Sequence, residues 1–199
     1  MTAKQFFKST AFKCIATLLV IVLICTVFLT ICNSLFYVSA EEKFDRAIAK
    51  IYGKSVATEQ IALSGLKTDF EYSSVNDAYT VEDGNYLIKS TGKEGFGGSV
   101  TCWVVVLMEN GAVHGIKSVV VDSAPGESYL SKLSKDELAE FSRIAYTDGY
   151  VYEVGFKNGT TQPGKDYIPT GASCTTRAVS NAVNGAIEFV KAYAEGGNA

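Results

Sequence analysis

The pattern of apolar and polar positions changes abruptly near residue 40. From Cys14 to Val38 the chain reads CIATLLVIVLICTVFLTICNSLFYV, 25 residues without a charge and with Asn33 as the one strongly polar interruption. As a helix this stretch rises about 37 Å, enough to cross a hydrocarbon core of about 30 Å with some tilt. Beyond it, residues 41–57 carry Phe44, Ile48 and Ile51 at spacings of four and three, which predicts a short amphipathic helix. Strand signals follow. Residues 86–90 alternate, residues 91–98 break the alternation with four glycines, and Val100 to Met108 (VTCWVVVLM) form a β-branched run suited to a buried strand. Glu109-Asn110-Gly111 is a hairpin signal, and Ala112 to Val121 is its expected partner. Residues 135–145 place Leu138, Phe141 and Ile144 on one helical face. Val151 to Phe156, a turn at Asn158-Gly159 and the stretch after it predict another hairpin. In the last segment Val179, Ala182, Val183, Ala186, Ile187, Val190 and Ala194 recur at helical spacing from Ala178 onward.

This order of elements predicts an α+β domain with an antiparallel sheet and flanking helices, behind one N-terminal membrane span. The expected organisation is a short cytoplasmic N-terminus at 1–13, a transmembrane helix at 14–38, a connecting helix and linker at 39–75, and the folded domain at 76–199. A cleaved signal peptide would use Val38-Ser39-Ala40 as its cleavage site, but its apolar region is about 7–15 residues, roughly half of what is present. A lipoprotein signal needs a small residue before Cys32, where Ile31 stands. The length favours an uncleaved signal anchor. Lys4, Lys8 and Lys13 precede the span, so the positive-inside rule puts the N-terminus in the cytoplasm and the bulk of the chain on the extracytoplasmic side of the cell membrane. Lys43, Arg46, Lys50 and Lys54 lie near the other end and reduce that asymmetry.

Charge and cysteine usage narrow the functional classes. A formal net charge of −3 over 199 residues argues against a broad nucleic-acid surface. Five cysteines with no C-x-x-C, and one histidine, exclude zinc fingers, ferredoxin-type cysteine runs and c-type haem attachment. His114 has no companion ligands in sequence and reads as structural or solvent-exposed. Gly53-Lys54-Ser55 matches the end of a phosphate-binding loop, but the first glycine of that motif would fall at Ile48. Cys102 and Cys174 are the two cysteines beyond the span and either pair or stand as free thiols. The aromatic residues Phe96, Trp103 and Tyr129 are either core or candidates for contact with a planar ligand.

The richest stretch is Pro169-Thr-Gly-Ala-Ser-Cys-Thr-Thr-Arg177, which runs into the last helix. Four hydroxyls and a glycine gather where a helix presents unpaired N–H groups and the positive end of its dipole, so the pattern suits either a phosphate or an ordinary N-cap.

Thr170-Gly171-Ala172-Ser173-Cys174-Thr175 resembles the S/T-G-A-T-x-T/S motif of the FMN-binding domain family. Gly95-Phe-Gly-Gly98 ahead of a long strand and Asn110-Gly-Ala-Val-His-Gly-Ile-Lys117 are similar to that family's glycine turn and following hairpin, and Ser123-Ala-Pro125-Gly126 stands where the family has Glu-Thr-Pro-Gly. The resemblance covers about residues 80–195. It implies FMN joined through its phosphate to Thr175 Oγ by a separate flavin transferase that uses FAD, with Thr170, Gly171, Ala172, Ser173, Gly98, Pro125 and Gly126 around the cofactor. The single span ahead of such a domain resembles the layout of the G subunit of Rnf complexes and of the C subunit of the Na⁺-translocating NADH:quinone reductase. The likeness implies an electron-transfer subunit of an ion-translocating ferredoxin:NAD⁺ oxidoreductase, partnered by its other membrane and peripheral subunits and not catalytic alone. A stand-alone membrane-anchored flavoprotein and a cofactor-less binding module are the alternatives. Four positions depart from the family: Ser173 replaces a threonine, Asp166 lies one residue further upstream than the family's acidic position, and Ser123 and Ala124 replace its Glu-Thr pair.

Overall fold

Helix α1 (Thr10–Phe36) contains a 24-residue stretch, Phe12–Leu35, with a mean hydropathy of 3.0 and no part buried against protein. It is long and apolar enough to span a membrane. Three of its hydroxyls are satisfied within the helix: Thr17, Thr26 and Thr30 donate to the carbonyls of Lys13, Val22 and Thr26 at 2.8–2.9 Å. A polar side chain in hydrocarbon needs such an internal partner. The structure is a computed structural model that describes residues 10–36, 39–144, 146, 152–156, 167–170 and 172–196. The chain divides into two units, Met1–Phe44 and Asp45–Ala199. Helix α2 (Ala40–Tyr52) starts in the first and ends in the second, where Ala47 and Ile48 are buried.

The second unit is α+β, as the pattern predicts. Five strands, β1 (Thr58–Gln60), β2 (Ser73–Val81), β3 (Tyr86–Gly92), β4 (Val100–Glu109) and β5 (Ala112–Ser123), pair antiparallel in chain order. The β4–β5 turn has Asn110 at φ 52° and Gly111 at φ 79°, with Glu109 paired to Ala112. Two successive positive φ values are the signature of a type I′ hairpin, whose twist matches that of the strands. β4 is buried on both faces from Cys102 to Val106, which explains its unbroken apolar sequence in place of alternation. Helix α3 (Lys135–Arg143) starts with a capping box in which Ser134 accepts from the Glu137 N–H and Glu137 accepts from the Ser134 N–H.

Helix α4 (Ser173–Ala194) closes the unit against β2, β3 and β4. Val179, Val183, Ile187, Phe189 and Val190 are buried on it. At about 1.5–3 kcal/mol for each large apolar side chain, burial outweighs the modest helix propensity of its β-branched residues. Glycines set how closely helix and sheet approach. A Cβ on Gly92 would lie 1.8 Å from the Ala178 carbonyl oxygen, and one on Gly185 would lie 2.1 Å from Ser73 Oγ.

The second predicted hairpin is not formed as a hairpin. β6 (Glu153–Phe156) pairs in parallel with β7 (Tyr167–Thr170), Glu153 opposite Tyr167 and Phe156 opposite Thr170. A two-residue turn joins antiparallel strands only, so an Asn-Gly turn cannot by itself connect these two. Asn158, Gly159 and Asp166 lie outside the described residues. Two strands that the pattern did not announce, β1 and β2, complete one side of the main sheet.

Candidate functional site

The hydroxyl-rich stretch enters α4 one residue later than a capping role requires. The N-cap is Ala172, at φ −128° and ψ 59°, and no side chain caps the first turn. The hydroxyls therefore lie inside the first turn, where about 100° of rotation per residue points each one differently. Ser173 is half-buried, Cys174 exposed, and Thr175 and Thr176 buried. Thr176 Oγ1 donates to the Ala172 carbonyl at 3.1 Å, a bond within its own helix. Thr175 Oγ1 donates instead to Glu127 Oε2 at 2.6 Å, across 48 residues of sequence.

Glu127 is delivered by a tight turn at the end of β5. The Glu127 N–H donates to the Ala124 carbonyl at 3.2 Å, with Pro125 and Gly126 between them and Gly126 at φ +82°. Proline second and a positive-φ glycine third make this a type II turn. The other carboxylate oxygen, Oε1, accepts from the Gly97 N–H at 2.6 Å and the Gly98 N–H at 3.1 Å. The two loops meet backbone to backbone. A Cβ on Gly97 would lie 1.9 Å from the Gly126 carbonyl oxygen, one on Gly98 would lie 2.7 Å from that of Pro125, and one on Gly95 would lie 2.3 Å from Glu127 Oε1. Both glycine motifs thus have one physical reason, the close approach of loop 95–98 to loop 124–127. Asn181 of α4 fixes the first loop further by donating to the Lys93 carbonyl at 3.0 Å.

Glu127 is 8% exposed and Thr175 1% exposed. Burial pushes the Glu127 carboxyl upward, but the hydrogen bonds from Thr175, Gly97 and Gly98 together outweigh it and leave the carboxyl below its ordinary range. The side chain is an ionised acceptor with a fixed orientation.

Beside Thr175 opens a pocket of about 180 Å³ lined by Phe96, Tyr129, Ala172, Ser173, Cys174 and Thr175. Phe96 is 62% exposed and Tyr129 37%, and their rings meet edge to face at 4.8 Å between centroids. Two solvent-facing aromatic rings on the rim of an apolar pocket offer a planar ligand a stacking surface. Trp103, by contrast, is 3% exposed in β4, with Tyr79 and the Lys89 ammonium over it. Of the three aromatic candidates, two reach the pocket and one is core.

The structure brings together Thr175, Ala172, Ser173, Gly98, Pro125 and Gly126. Thr170 is the last residue of β7; its side chain and Gly171 lie outside what is described. The residue that sequence reasoning missed is Glu127. Ser123 and Ala124 leave no carboxylate at the two positions before Pro125, but one stands two residues after it. Cys102 and Cys174 are free thiols, the first buried and the second exposed. His114 is an exposed residue of β5 whose Nδ1 lies 3.1 Å from Glu109 Oε2 across the hairpin. Among the described residues no group of three His, Cys, Asp or Glu converges as a metal site would require.

For a planar ligand carrying a phosphate, the site offers a threonine in the first turn of a helix and aromatic rings at the rim of the adjoining pocket. Comparison with protein-family models, curated proteins and solved structures found no match to this chain.

Proposed function

We propose that this chain is a membrane-anchored electron-transfer subunit that carries FMN covalently through Thr175, in an ion-translocating ferredoxin:NAD⁺ oxidoreductase of the Rnf type. The observation that carries the reading is the Thr175–Glu127 hydrogen bond at the edge of the Phe96–Tyr129 pocket. A threonine with no role beyond its helix would bond to that helix's own backbone, as Thr176 does. FMN, when bound, supplies one- and two-electron redox chemistry, while the protein contributes position and electrostatics. Thr175 would hold the phosphate, the first-turn N–H groups of α4 would stabilise its charge, and Phe96 and Tyr129 would border the ring system. Helix α1 supports a single-pass anchor; in this reading the second unit lies outside the cytoplasm, where a covalent bond would prevent loss of the cofactor.

The test is direct. The full chain is co-expressed with a flavin transferase, solubilised, and examined by intact mass and in-gel fluorescence after denaturation. The wild type should gain one FMN less one water, Thr175→Val should gain nothing, and Thr176→Val should be labelled. Bare wild-type polypeptide, or flavin on Thr175→Val, would overturn the reading. Mild solubilisation of native membranes should co-purify other integral subunits; recovery of this chain alone would count against the pump.

A further inference from the structure

The site holds a group for which a passive attachment residue has no need. Thr175 Oγ1 lies 2.6 Å from Glu127 Oε2, and both side chains are at least nine-tenths buried. The opposite oxygen of the same carboxylate is pinned by the Gly97 and Gly98 N–H groups, so the oxygen facing Thr175 is left to that hydroxyl. Two loops that tolerate no Cβ at Gly95, Gly97 or Gly98 press together to hold this arrangement. A role confined to fastening the loops is met by Oε1 alone. It does not explain why Oε2 is directed at the reacting oxygen.

We infer that Glu127 is the proton acceptor for flavin attachment, so that this chain supplies a catalytic residue for its own modification. The inference rests on Thr175 being the attachment residue. In the step, Thr175 Oγ attacks the phosphorus on the FMN side of the FAD pyrophosphate. The Oγ–P bond forms, the bridging P–O bond breaks, and AMP departs with that electron pair. The Thr175 proton passes to Glu127 Oε2 and then to solvent. Nothing is oxidised or reduced. A carboxylate that accepts the proton of the attacking hydroxyl in phosphoryl transfer is the arrangement protein kinases use. The transferase then has to supply the FAD and with it the electrophile, while the acceptor chain supplies nucleophile and base.

The experiment uses the full chain in detergent with purified transferase and FAD, and follows the initial rate of mass gain at several chain concentrations. Glu127→Gln keeps an oxygen for the Gly97 and Gly98 N–H groups but has no anionic acceptor for Thr175. It should lower the turnover number for attachment about 10²-fold or more while leaving KM unchanged. Glu127→Asp disturbs the loops more than Gln does, yet retains a carboxylate, so attachment should rank Glu, then Asp, then Gln. A ranking of Glu, Gln, Asp that follows melting temperature would overturn the inference and reduce Glu127 to a fastening. So would wild-type turnover in Glu127→Gln, or a change in KM alone. Those failures leave Thr175→Val unlabelled and the attachment reading intact. Flavin on Thr175→Val, or a wild type that gains no mass, overturns the attachment reading and this inference with it.

Discussion

Gly97→Ala isolates the loop contact on which the site depends. The new Cβ would lie 1.9 Å from the Gly126 carbonyl oxygen and 2.7 Å from its carbon, whereas real Cβ contacts do not fall below 3.0 Å. Both neighbours are backbone and cannot rotate aside, so the loops must part by more than an ångström. Overpacking of this kind costs about 1–3 kcal/mol. Parting also stretches the 2.6 Å bond from the Gly97 N–H to Glu127, and a hydrogen bond to a charged group is worth about 1.5–3 kcal/mol. Together the loss is about 4 kcal/mol. At about 2–4 °C per kcal/mol for a domain of this size, the melting temperature should fall by about 8–16 °C. Gly84→Ala is the control. Gly84 has φ +81° with nothing within 4 Å of an added Cβ, so it carries only the left-handed backbone penalty of about 1–2 kcal/mol. Trp103, the single tryptophan and 3% exposed, reports unfolding of the sheet by fluorescence in the detergent-solubilised chain. If Gly97→Ala melts no lower than Gly84→Ala, the loops do not meet as described and the positioning of Glu127 loses its basis.

Two further outcomes derive from burial and charge. In a Thr175→Val background, a membrane-impermeant maleimide applied to intact cells should label exposed Cys174, and Cys174→Ser should abolish the signal; buried Cys102, whose thiol burial and then Asp122 push upward, should react only after denaturation. Labelling of Cys174 only after lysis would refute the extracytoplasmic placement, and labelling of Cys102 in the folded protein would refute its burial. The Glu127 carboxyl is lower in the folded state than its ordinary value of 4.5, so its contribution to stability is complete above that pH and is lost as pH falls through the folded value. Acid melts of the wild type and of Glu127→Gln should therefore converge progressively as pH falls below 4.5 and through the folded value, and a constant gap between them at all pH values would contradict the ionised assignment.

The reach of sequence reasoning varied with how local the deciding physics is. Helix α1 was legible because hydrocarbon demands one unbroken property, and α4 because its buried stripe recurs at i, i+3 and i+4. The β4–β5 hairpin was legible because Asn110-Gly111 takes up the two positive φ values its turn requires. β2 was not. The pairing with β3 shifts between Val75 and Asp77, so Asn76 is an extra residue and the buried positions Val75 and Ala78 fall three apart instead of two. That spacing hides a strand. The parallel β6–β7 pair misled for a related reason: Asn158-Gly159 is a local turn signal, whereas a parallel partner is chosen by the rest of the fold.

The site divides along the same line. The run of hydroxyls at a helix start suited an N-cap as well as a phosphate, and Thr175 stood out among them only by the likeness of Thr170–Thr175 to a family motif; its partner was not legible at all, because Glu127 reaches it only through folding. The sequence shows a proline and a glycine before Glu127 and a cluster of glycines at 95–98, and each alone reads as a turn. Their joint meaning appears only when the absent Cβ atoms are placed: each loop lacks side chains where the other loop's backbone arrives. The same closeness that excludes a Cβ brings two N–H groups onto Oε1 and directs Oε2 at Thr175. A carboxylate displaced by a few residues along its turn can therefore serve an oxygen on α4 as long as the glycine contact between the loops is kept. The shape of that contact, more than the identity at Ser123 or Ala124, decides whether Thr175 has a carboxylate partner.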